Sequence, residues 1–257
     1  MKKEHPYEFR EFLNQIHLPD RRNNDVAPVE ADEIKIDGSW FIRIPADASA
    51  GLRRAASDLQ DYFFVSMKES LKLVVSDEKQ EKEIVLTEKW KKGDAPSDIC
   101  GDSRAYDYTC EKNAIRVDGD TWVGAAQGGY YLEDLMNLRQ IPVLRLSEKI
   151  RRTPFFSPRM THSGYGLDQF PDNHLAGIAH SGFDSIIVML TGPDKTRQGP
   201  LDVNTLIRRA AKFGLGVYIY SYLSGYKHPE DSDAEGFFDS SYGSLFRHSP
   251  DARGLIL

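Results

Sequence analysis

The stretch Ile186-Ile187-Val188-Met189-Leu190 is a continuous apolar run, and Val217-Tyr218-Ile219-Tyr220 repeats that character further along the chain. Runs of this kind form strands that are covered on both faces, as in parallel sheets. A helical pattern precedes each run, from Pro171 to Gly182 before the first and from Asp202 to Gly214 before the second. The alternation of helix and strand therefore predicts a parallel α/β sheet.

Three residues mark the ends of these two helices. Gly182 and Gly214 stand where a left-handed residue would end each helix, and Asp202 stands where a side chain would cap the second one. His174 and His180 fall within the first helix, where we expect both at the surface.

Two further segments extend the pattern at either end. Met160 to Gly166 is predicted as the first strand, and residues 254–257 as the opening of a fourth. A complete (β/α)8 barrel needs about 250 residues, so residues 151–257 are predicted to form the first βα units of an incomplete TIM-type barrel, truncated in strand 4. Exposed strand edges invite pairing with another chain, which predicts a homodimer.

The chain before the barrel-like part is organised differently. Residues 1–30 are polar and rich in helix breakers, and we interpret them as an N-terminal arm or linker. Residues 31–150 alternate strands with two helices, which predicts an α+β domain and an α/β class for the whole chain. Asp37-Gly38, between the apolar runs Ile34–Ile36 and Trp40–Ile44, predicts a β-hairpin.

The rest of this domain contains two predicted helices and four predicted strands. They are a helix from Ser49 to Met67, strands at Leu71–Val75 and Glu83–Leu86, a hairpin of Tyr106–Glu111 with Ala114–Val117, and a helix from Gly128 to Leu138. The segment from Trp122 to Gly129 is interpreted as a strand followed by a glycine-rich turn. It lacks both the G-x-G-x-x-G spacing and the Lys-Ser/Thr ending of nucleotide loops, so it predicts no nucleotide site.

Composition excludes several classes of partner. The net charge of -6 and the lack of a basic stripe argue against nucleic acid. No apolar run approaches the roughly 18 residues of a membrane span, and the charged start of the chain is unlike a signal peptide, which predicts a cytoplasmic protein. The spacing of Cys100 and Cys110 matches no common zinc motif, so two reduced thiols, no metal and no cofactor are expected.

A series of short motifs runs along the chain in a recognisable order. They are Ala56-x-Asp58-Leu59-Gln60-x-Tyr62, Tyr106-x-Tyr108, Ile115-x-Val117, Gly128-Gly129-Tyr130-Tyr131-Leu132-x-x-Leu135 and Pro154-x-x-x-Pro158-Arg159-Met160. This order resembles the N-terminal domain of family 20 glycoside hydrolases, the β-N-acetylhexosaminidases, leading into their catalytic barrel. Related accessory domains precede the barrels of α-glucuronidases and O-GlcNAcases.

The resemblance continues into the barrel with departures. The segment from Pro158 to Gly164 aligns with the family pattern Pro-Arg-Phe-x-Trp-Arg-Gly, and Ser163 stands where an arginine holds sugar hydroxyls. Leu190-Thr191 matches a Leu-Thr after the second strand, whereas Gly192-Pro193-Asp194 replaces Asp-Asp-Gln. After the third strand, Ser224-Gly225-Tyr226 replaces the family's Pro-Gly-His.

The resemblance implies where the catalytic acids would lie. In the family a glutamate acts as general acid and an aspartate steers the substrate's acetamido group, and this acidic pair is expected beyond Leu257, after the fourth strand. Residues at the carboxyl ends of barrel strands are candidates for substrate binding, and aromatic and hydroxyl groups there suit a sugar. The candidates are His162, Ser163, Thr191, Asp194, Tyr222, Tyr226 and His228.

These observations predict a glycoside hydrolase with a carbohydrate as its substrate. The resemblance implies a retaining, substrate-assisted glycosidase acting on an oligosaccharide or glycoconjugate when the full barrel is present. Because Ser163 replaces the sugar-holding arginine, an α-glucuronidase-like hydrolase is an alternative. A non-catalytic carbohydrate-binding module is another alternative, since binding needs no general acid.

Overall fold

The computed structural model of this 257-residue chain describes residues 15–23, 25–91, 104–163, 168–221 and 227–256. Cys100, Tyr222 and Tyr226 lie outside these ranges. The chain divides into two compact units, one from His17 to Ser157 and the other containing the residues from Pro158 onward. None of the helices in the described ranges has both the length and the apolar character that crossing a bilayer requires.

The first unit contains a six-stranded mixed sheet and a separate two-stranded sheet. Its strands are β1 (Glu33–Lys35), β2 (Phe41–Ile44), β3 (Lys72–Val75), β4 (Glu83–Glu88), β5 (Tyr106–Cys110), β6 (Ala114–Gly119), β7 (Val143–Arg145) and β8 (Ser147–Arg152). The large sheet has the order β3-β2-β4-β6-β5-β8, and β1 pairs with β7. The β3-β2-β4-β6 part is parallel, whereas β5 runs antiparallel to both β6 and β8.

Two helices pack against one another and against this sheet. Helix α1 (Ala50–Tyr62) begins after Ser49, whose side chain accepts a hydrogen bond from the Leu52 N–H, and it continues into a π-helical turn at Phe63–Met67. Helix α2 (Trp122–Arg139) begins after Thr121, whose hydroxyl accepts from the Val123 N–H. The predicted helix at Ser49–Met67 and the predicted strands on either side of it are therefore confirmed.

The sheet has one apolar and one polar face, because successive side chains of a strand point to opposite sides. In β6, Ile115 and Val117 are fully buried on the helix-covered face, while Arg116 and Asp118 point to the other side. In β5, Tyr106 and Tyr108 are buried in the same way. The predicted hairpin of β5 and β6 is confirmed, and its apolar alternation supplies much of the core.

The hairpin predicted at Asp37-Gly38 is wrong. A turn does form, because the Asp37 carbonyl accepts from the Trp40 N–H and the Asp37 carboxylate accepts from the Ser39 N–H. The flanking strands do not pair with each other, however, since β1 joins β7 and β2 joins β3 and β4. The local sequence therefore predicted the turn correctly. The pairing of the strands depends on contacts with segments that are distant along the chain.

The strand and glycine-rich turn predicted for the segment from Trp122 to Gly129 are also wrong, because α2 includes the whole segment. Gly128 faces the sheet so closely that a Cβ atom there would lie 2.1 Å from Val117 Cγ1. The glycine therefore allows the helix backbone to approach the strand. Cys110 is a free thiol, as predicted, and its burial raises its pKa.

The second unit contains a four-stranded parallel sheet in the order β14-β13-β10-β9. Its elements are β9 (Met160–His162), helix α3 (Asp172–His180), β10 (Ser185–Leu190), the short pair β11 (Lys195–Thr196) and β12 (Gly199–Pro200), α4 (Val203–Ala211), β13 (Gly216–Ser221), α5 (Ala234–Phe238), a π-helical turn at Asp239–Gly243, α6 (Ser244–His248) and β14 (Gly254–Ile256). Strands that follow one another along the chain pair side by side, with helices α3 and α4 between them, as predicted.

The predicted helix ends of this unit are confirmed. Gly182 and Gly214 have left-handed φ angles of 75° and 74°. The Asp202 carboxylate accepts from the Thr205 N–H at the start of α4, and this hydrogen bond, together with one from the Thr205 hydroxyl, lowers the pKa of Asp202.

The expected surface position of His174 is wrong. The residue is 9% exposed, and its ring stacks on Phe170 with centroids 5.3 Å apart. Burial lowers the pKa of His174, because the charged form loses its hydration. A helical pattern alone could not show that the face carrying His174 would be covered.

We expect the second unit to lose stability in mild acid because of His174. The pKa of His174 is lowered in the folded protein. Neutral His174 therefore contributes stability that is complete above the unfolded pKa of 6.5 and is lost as the pH falls through the folded pKa. Hydrogen exchange of the α3 amides between about pH 5 and pH 8 should show this loss. His174→Phe should flatten the profile, and His228→Gln, at an exposed histidine, should not. Equal profiles for wild type and His174→Phe would contradict the prediction.

Candidate functional site

The carboxyl ends of β9, β10 and β13 lie along one edge of the parallel sheet. Because the strands are parallel and neighbours, the residues that follow them are the ones that can line a common pocket. The register places His162 opposite Ile187, and Leu190 opposite Ser221. Strand β9 therefore ends before β10 and β13 do along the common strand direction. The segment after β9 starts beside the middle of β10.

His162 is the last residue of β9, and Ser163 follows it. The His162 side chain is exposed, and the Ser163 hydroxyl donates a hydrogen bond to Asp168 Oδ1 at 2.6 Å. The sequence prediction did not include Asp168, although it lies only five positions after Ser163. Because the serine proton is donated to the carboxylate, the oxygens of both groups offer acceptors to the hydroxyls of a ligand.

Thr191 and Asp194 lie in a tight turn after β10. The backbone N–H and hydroxyl of Thr191 donate to the Lys195 carbonyl, at 2.8 Å and 3.3 Å. Asp194 has a left-handed φ of 50°, a conformation that aspartate tolerates better than most residues because its short polar side chain can hydrogen-bond locally. The turn is therefore a defined structure at the end of the strand.

Both carboxylate oxygens of Asp194 are engaged by its own unit. Oδ1 accepts from the Val203 N–H at 2.9 Å, and Oδ2 lies 2.7 Å from His248 Nε2. The His248 carbonyl in turn accepts from the Asn204 side chain at 2.9 Å. Asp194 thus links the turn after β10 to the first residue of α4 and to the end of α6. The sequence pattern gave no signal for His248, because this contact joins residues far apart along the chain.

His228 is exposed and belongs to a polar turn. Its N–H donates to Asp231 Oδ2 at 3.0 Å, and its Nδ1 accepts from the Glu230 N–H at 3.3 Å. Tyr222 and Tyr226, the other two candidates after β13, lie outside the described residues. The geometry therefore places His162, Ser163, Thr191 and Asp194 at or just beyond the ends of β9 and β10 and adds Asp168 and His248 to them.

One cluster of possible metal ligands lies within the first unit. His17 Nε2 is 3.2 Å from Asp58 Oδ1, and His17 Nδ1 is 3.9 Å from Glu133 Oε2. The three residues offer ligand atoms within 4.8 Å of one another. The two carboxylates lie near opposite nitrogens of the ring, however, an arrangement that suits a histidine bridging two acids. The cluster therefore attaches the start of the unit to α1 and α2.

Comparisons with solved structures agree with a glycoside hydrolase-like fold. A family 20 β-N-acetylhexosaminidase from Streptomyces coelicolor A3(2) has a TM-score of 0.59 and 16% identity over 92% of this chain and 59% of its own. A chitobiase from Flavobacterium johnsoniae has a TM-score of 0.61 and 13% identity over 95% of this chain and 44% of its own. A family 138 enzyme targeting pectin rhamnogalacturonan II has a TM-score of 0.57 and 10% identity over 84% of this chain and 38% of its own.

These identities show similarity of fold alone. The chain spans 59%, 44% and 38% of the lengths of these three proteins. No protein-family model and no curated protein matches the sequence.

Proposed function

We propose that this chain supplies the accessory domain and the first βα units of a (β/α)8 barrel to a glycoside hydrolase. The observation that carries the proposal is the parallel sheet β9-β10-β13-β14, whose sequential order is that of the opening strands of such a barrel. The similarity in fold to glycoside hydrolases of families 20 and 138 supports it. We further propose a carbohydrate substrate and a retaining, substrate-assisted reaction of the hexosaminidase type.

Hydrolysis of a glycosidic bond requires a proton donor for the leaving oxygen and a nucleophile or negative group at the anomeric carbon. Asp168 follows β9 and Asp194 follows β10, while the exposed acids Glu230, Asp231 and Asp233 lie in the segment after β13. Asp194 is engaged by Val203 and His248, which suits a positioning role. We assign Asp168, with Ser163, to binding sugar hydroxyls, and place the acid pair on a later strand.

The polypeptide translated from the native reading frame should be assayed with 4-nitrophenyl N-acetyl-β-hexosaminides and with uronides. The uronides belong in the panel because one neighbour in fold targets pectin. We expect release of the nitrophenol from an N-acetylhexosaminide, with the first sugar product retaining its anomeric configuration in proton NMR. Turnover of uronides alone would favour the α-glucuronidase-like alternative. Binding without any turnover would favour a carbohydrate-binding module.

Asp168→Asn should raise KM for the turned-over glycoside at least about tenfold, because a hydrogen bond to a charged group contributes about 1.5–3 kcal/mol. The value of kcat should change less, since Asp168 is assigned to binding in the ground state as well as the transition state. Initial rates over a range of substrate concentrations measure both constants. Asp251→Asn, at an exposed aspartate of the same unit, is the matched control. A KM equal to that of the control would rule out this assignment.

A further inference from the structure

The polar face of the six-stranded sheet contains a groove of about 370 Å³ in the first unit. It lies where the ends of β4, β5 and β6 meet the edge strand β8. Its lining includes the indole of Trp90, the carboxylates of Asp107, Asp118 and Asp120, and the cationic groups of Lys149 and Arg151. The helices α1 and α2 cover the opposite face of this sheet, so the groove lies on the face that does not pack into the hydrophobic core.

The charged groups of the groove form ion pairs with one another. Lys149 Nζ lies 2.9 Å from Asp107 Oδ2, and Arg151 Nη1 lies 2.9 Å from Asp120 Oδ1. A second nitrogen of Arg151 contacts the other oxygen of Asp120. These pairs are charge-assisted hydrogen bonds, and a lysine ammonium with one partner still has two N–H groups to donate.

The groove is electrically balanced and offers both donors and acceptors. Its three aspartates face three cations, Lys149, Arg151 and Lys89, which also lines it. The Thr87 hydroxyl donates to Asp118 Oδ1 at 2.6 Å, which fixes the third carboxylate. A balanced set favours a neutral ligand, because an anion or a metal ion would meet as many repelling groups as attracting ones.

Trp90 is anchored to the sheet through its backbone. Its N–H donates to the Asp120 carbonyl at 2.8 Å, and the preceding Lys89 N–H donates to the Gly119 carbonyl at 2.9 Å. Lys89 Nζ lies 3.9 Å from the centre of the Trp90 ring. The indole is half-buried, so a preformed aromatic surface lies beside the charged pairs.

We propose that this groove binds a neutral sugar unit of a carbohydrate chain, separately from the edge of the parallel sheet in the second unit. The choice of a sugar as the ligand rests on the proposed function, whereas the site is defined by the residues of the groove. The indole offers an apolar surface to the C–H groups of a sugar ring, and the aspartates, Lys149 and Arg151 exchange hydrogen bonds with its hydroxyls. Binding of a sugar unit in this groove would hold a polymeric substrate close to the enzyme.

The test uses the full chain and the indole N–H signals of its three tryptophans. Trp40 is 2% exposed in the core and Trp122 packs against Gly51, so only Trp90 should respond to a ligand in the groove. Titration with cellobiose, N,N′-diacetylchitobiose and maltose should shift the Trp90 signal in a saturable way for at least one of them. A disaccharide uronate, sodium sulfate and calcium chloride should shift it less.

Variants separate the groove from other parts of the surface. In Trp90→Ala and Lys149→Met, the amide signal of Gly119 replaces the indole as reporter, and we expect at least about tenfold weaker sugar binding in each. Phe155→Ala, at an exposed aromatic residue outside the groove, and Lys35→Met, at an exposed lysine, are the matched controls. Both should bind as wild type does.

The outcomes distinguish this inference from the proposed function. Turnover of aryl glycosides without any sugar-dependent shift of the Trp90 signal would overturn the proposed sugar site in the groove. It would leave the proposed hydrolase function standing. A saturable shift that Trp90→Ala and Lys149→Met weaken would support the groove, even for a protein that turns over no glycoside. A stronger response to the uronate, sulfate or calcium than to every neutral sugar would overturn the inference.

Discussion

Gly119→Ala is expected to destabilise the first unit by about 3 kcal/mol or more, at the upper end of overpacking effects. Gly119 is the last residue of β6, and a Cβ atom there would lie 2.2 Å from the Ala125 backbone nitrogen and 2.4 Å from the Thr121 carbonyl oxygen. Both atoms belong to the backbone at the start of α2. The helix and the strand would have to separate, since no side-chain rotation can relieve such contacts.

Gly129→Ala provides the matched control within α2. No heavy atom lies within 4 Å of the Cβ position at Gly129, so alanine there should stabilise the helix by about 0.5–1 kcal/mol. Urea unfolding followed by tryptophan fluorescence measures both, because Trp40, Trp90 and Trp122 all belong to the first unit. If Gly119→Ala were no more destabilising than Gly129→Ala, the close approach of α2 to β6 would be refuted.

Local sequence signals predicted those parts of the fold that local chemistry determines. Gly182 and Gly214 adopt the left-handed conformation that ends a helix, and Asp202 caps α4, because a cap depends on only a few neighbouring residues. The buried strands β10 and β13 were equally predictable, since each is a continuous apolar run. These elements position the edge of the parallel sheet.

Features that depend on distant contacts were not predictable in the same way. Gly128 resembles a turn residue in sequence, yet it lies within α2, where Val117 of the neighbouring strand leaves no room for a side chain. The sequence predicts a surface position for His174, whereas in the structure its ring stacks on Phe170. At the candidate site, the contact of His248 with Asp194 joins two segments that no periodicity relates. Polar groups recruited from separate segments therefore require the three-dimensional structure.

The second large effect is expected at the buried ion pair of Arg43 and Glu83. Arg43 Nε donates to Glu83 Oε2 at 2.6 Å, and Glu83 is 2% exposed. Removing one partner of such a pair leaves a buried charge without its closest counter-ion, so Arg43→Met should cost the first unit about 3–5 kcal/mol. Urea unfolding near neutral pH measures this cost, and Arg145→Met, in an exposed pair, should change the free energy by less than about 1 kcal/mol.

The pH dependence of this cost identifies its cause. Burial would raise the pKa of Glu83, but hydrogen bonds from Arg43 and from the Gln80 N–H hold it below the ordinary value of 4.5. Ionised Glu83 therefore contributes stability that is complete above pH 4.5 and is lost as pH falls through the folded pKa. In Arg43→Met the carboxylate keeps the Gln80 N–H and the more distant Arg116, 3.9 Å away, but loses its closest cation. Protonation of Glu83 then becomes easier, so the penalty should shrink in acid. The double variant Arg43→Met/Glu83→Met should recover much of the loss, because it buries no charge. A penalty that is independent of pH and unrelieved in the double variant would mean that Arg43 acts through the packing of its side chain and not through its charge.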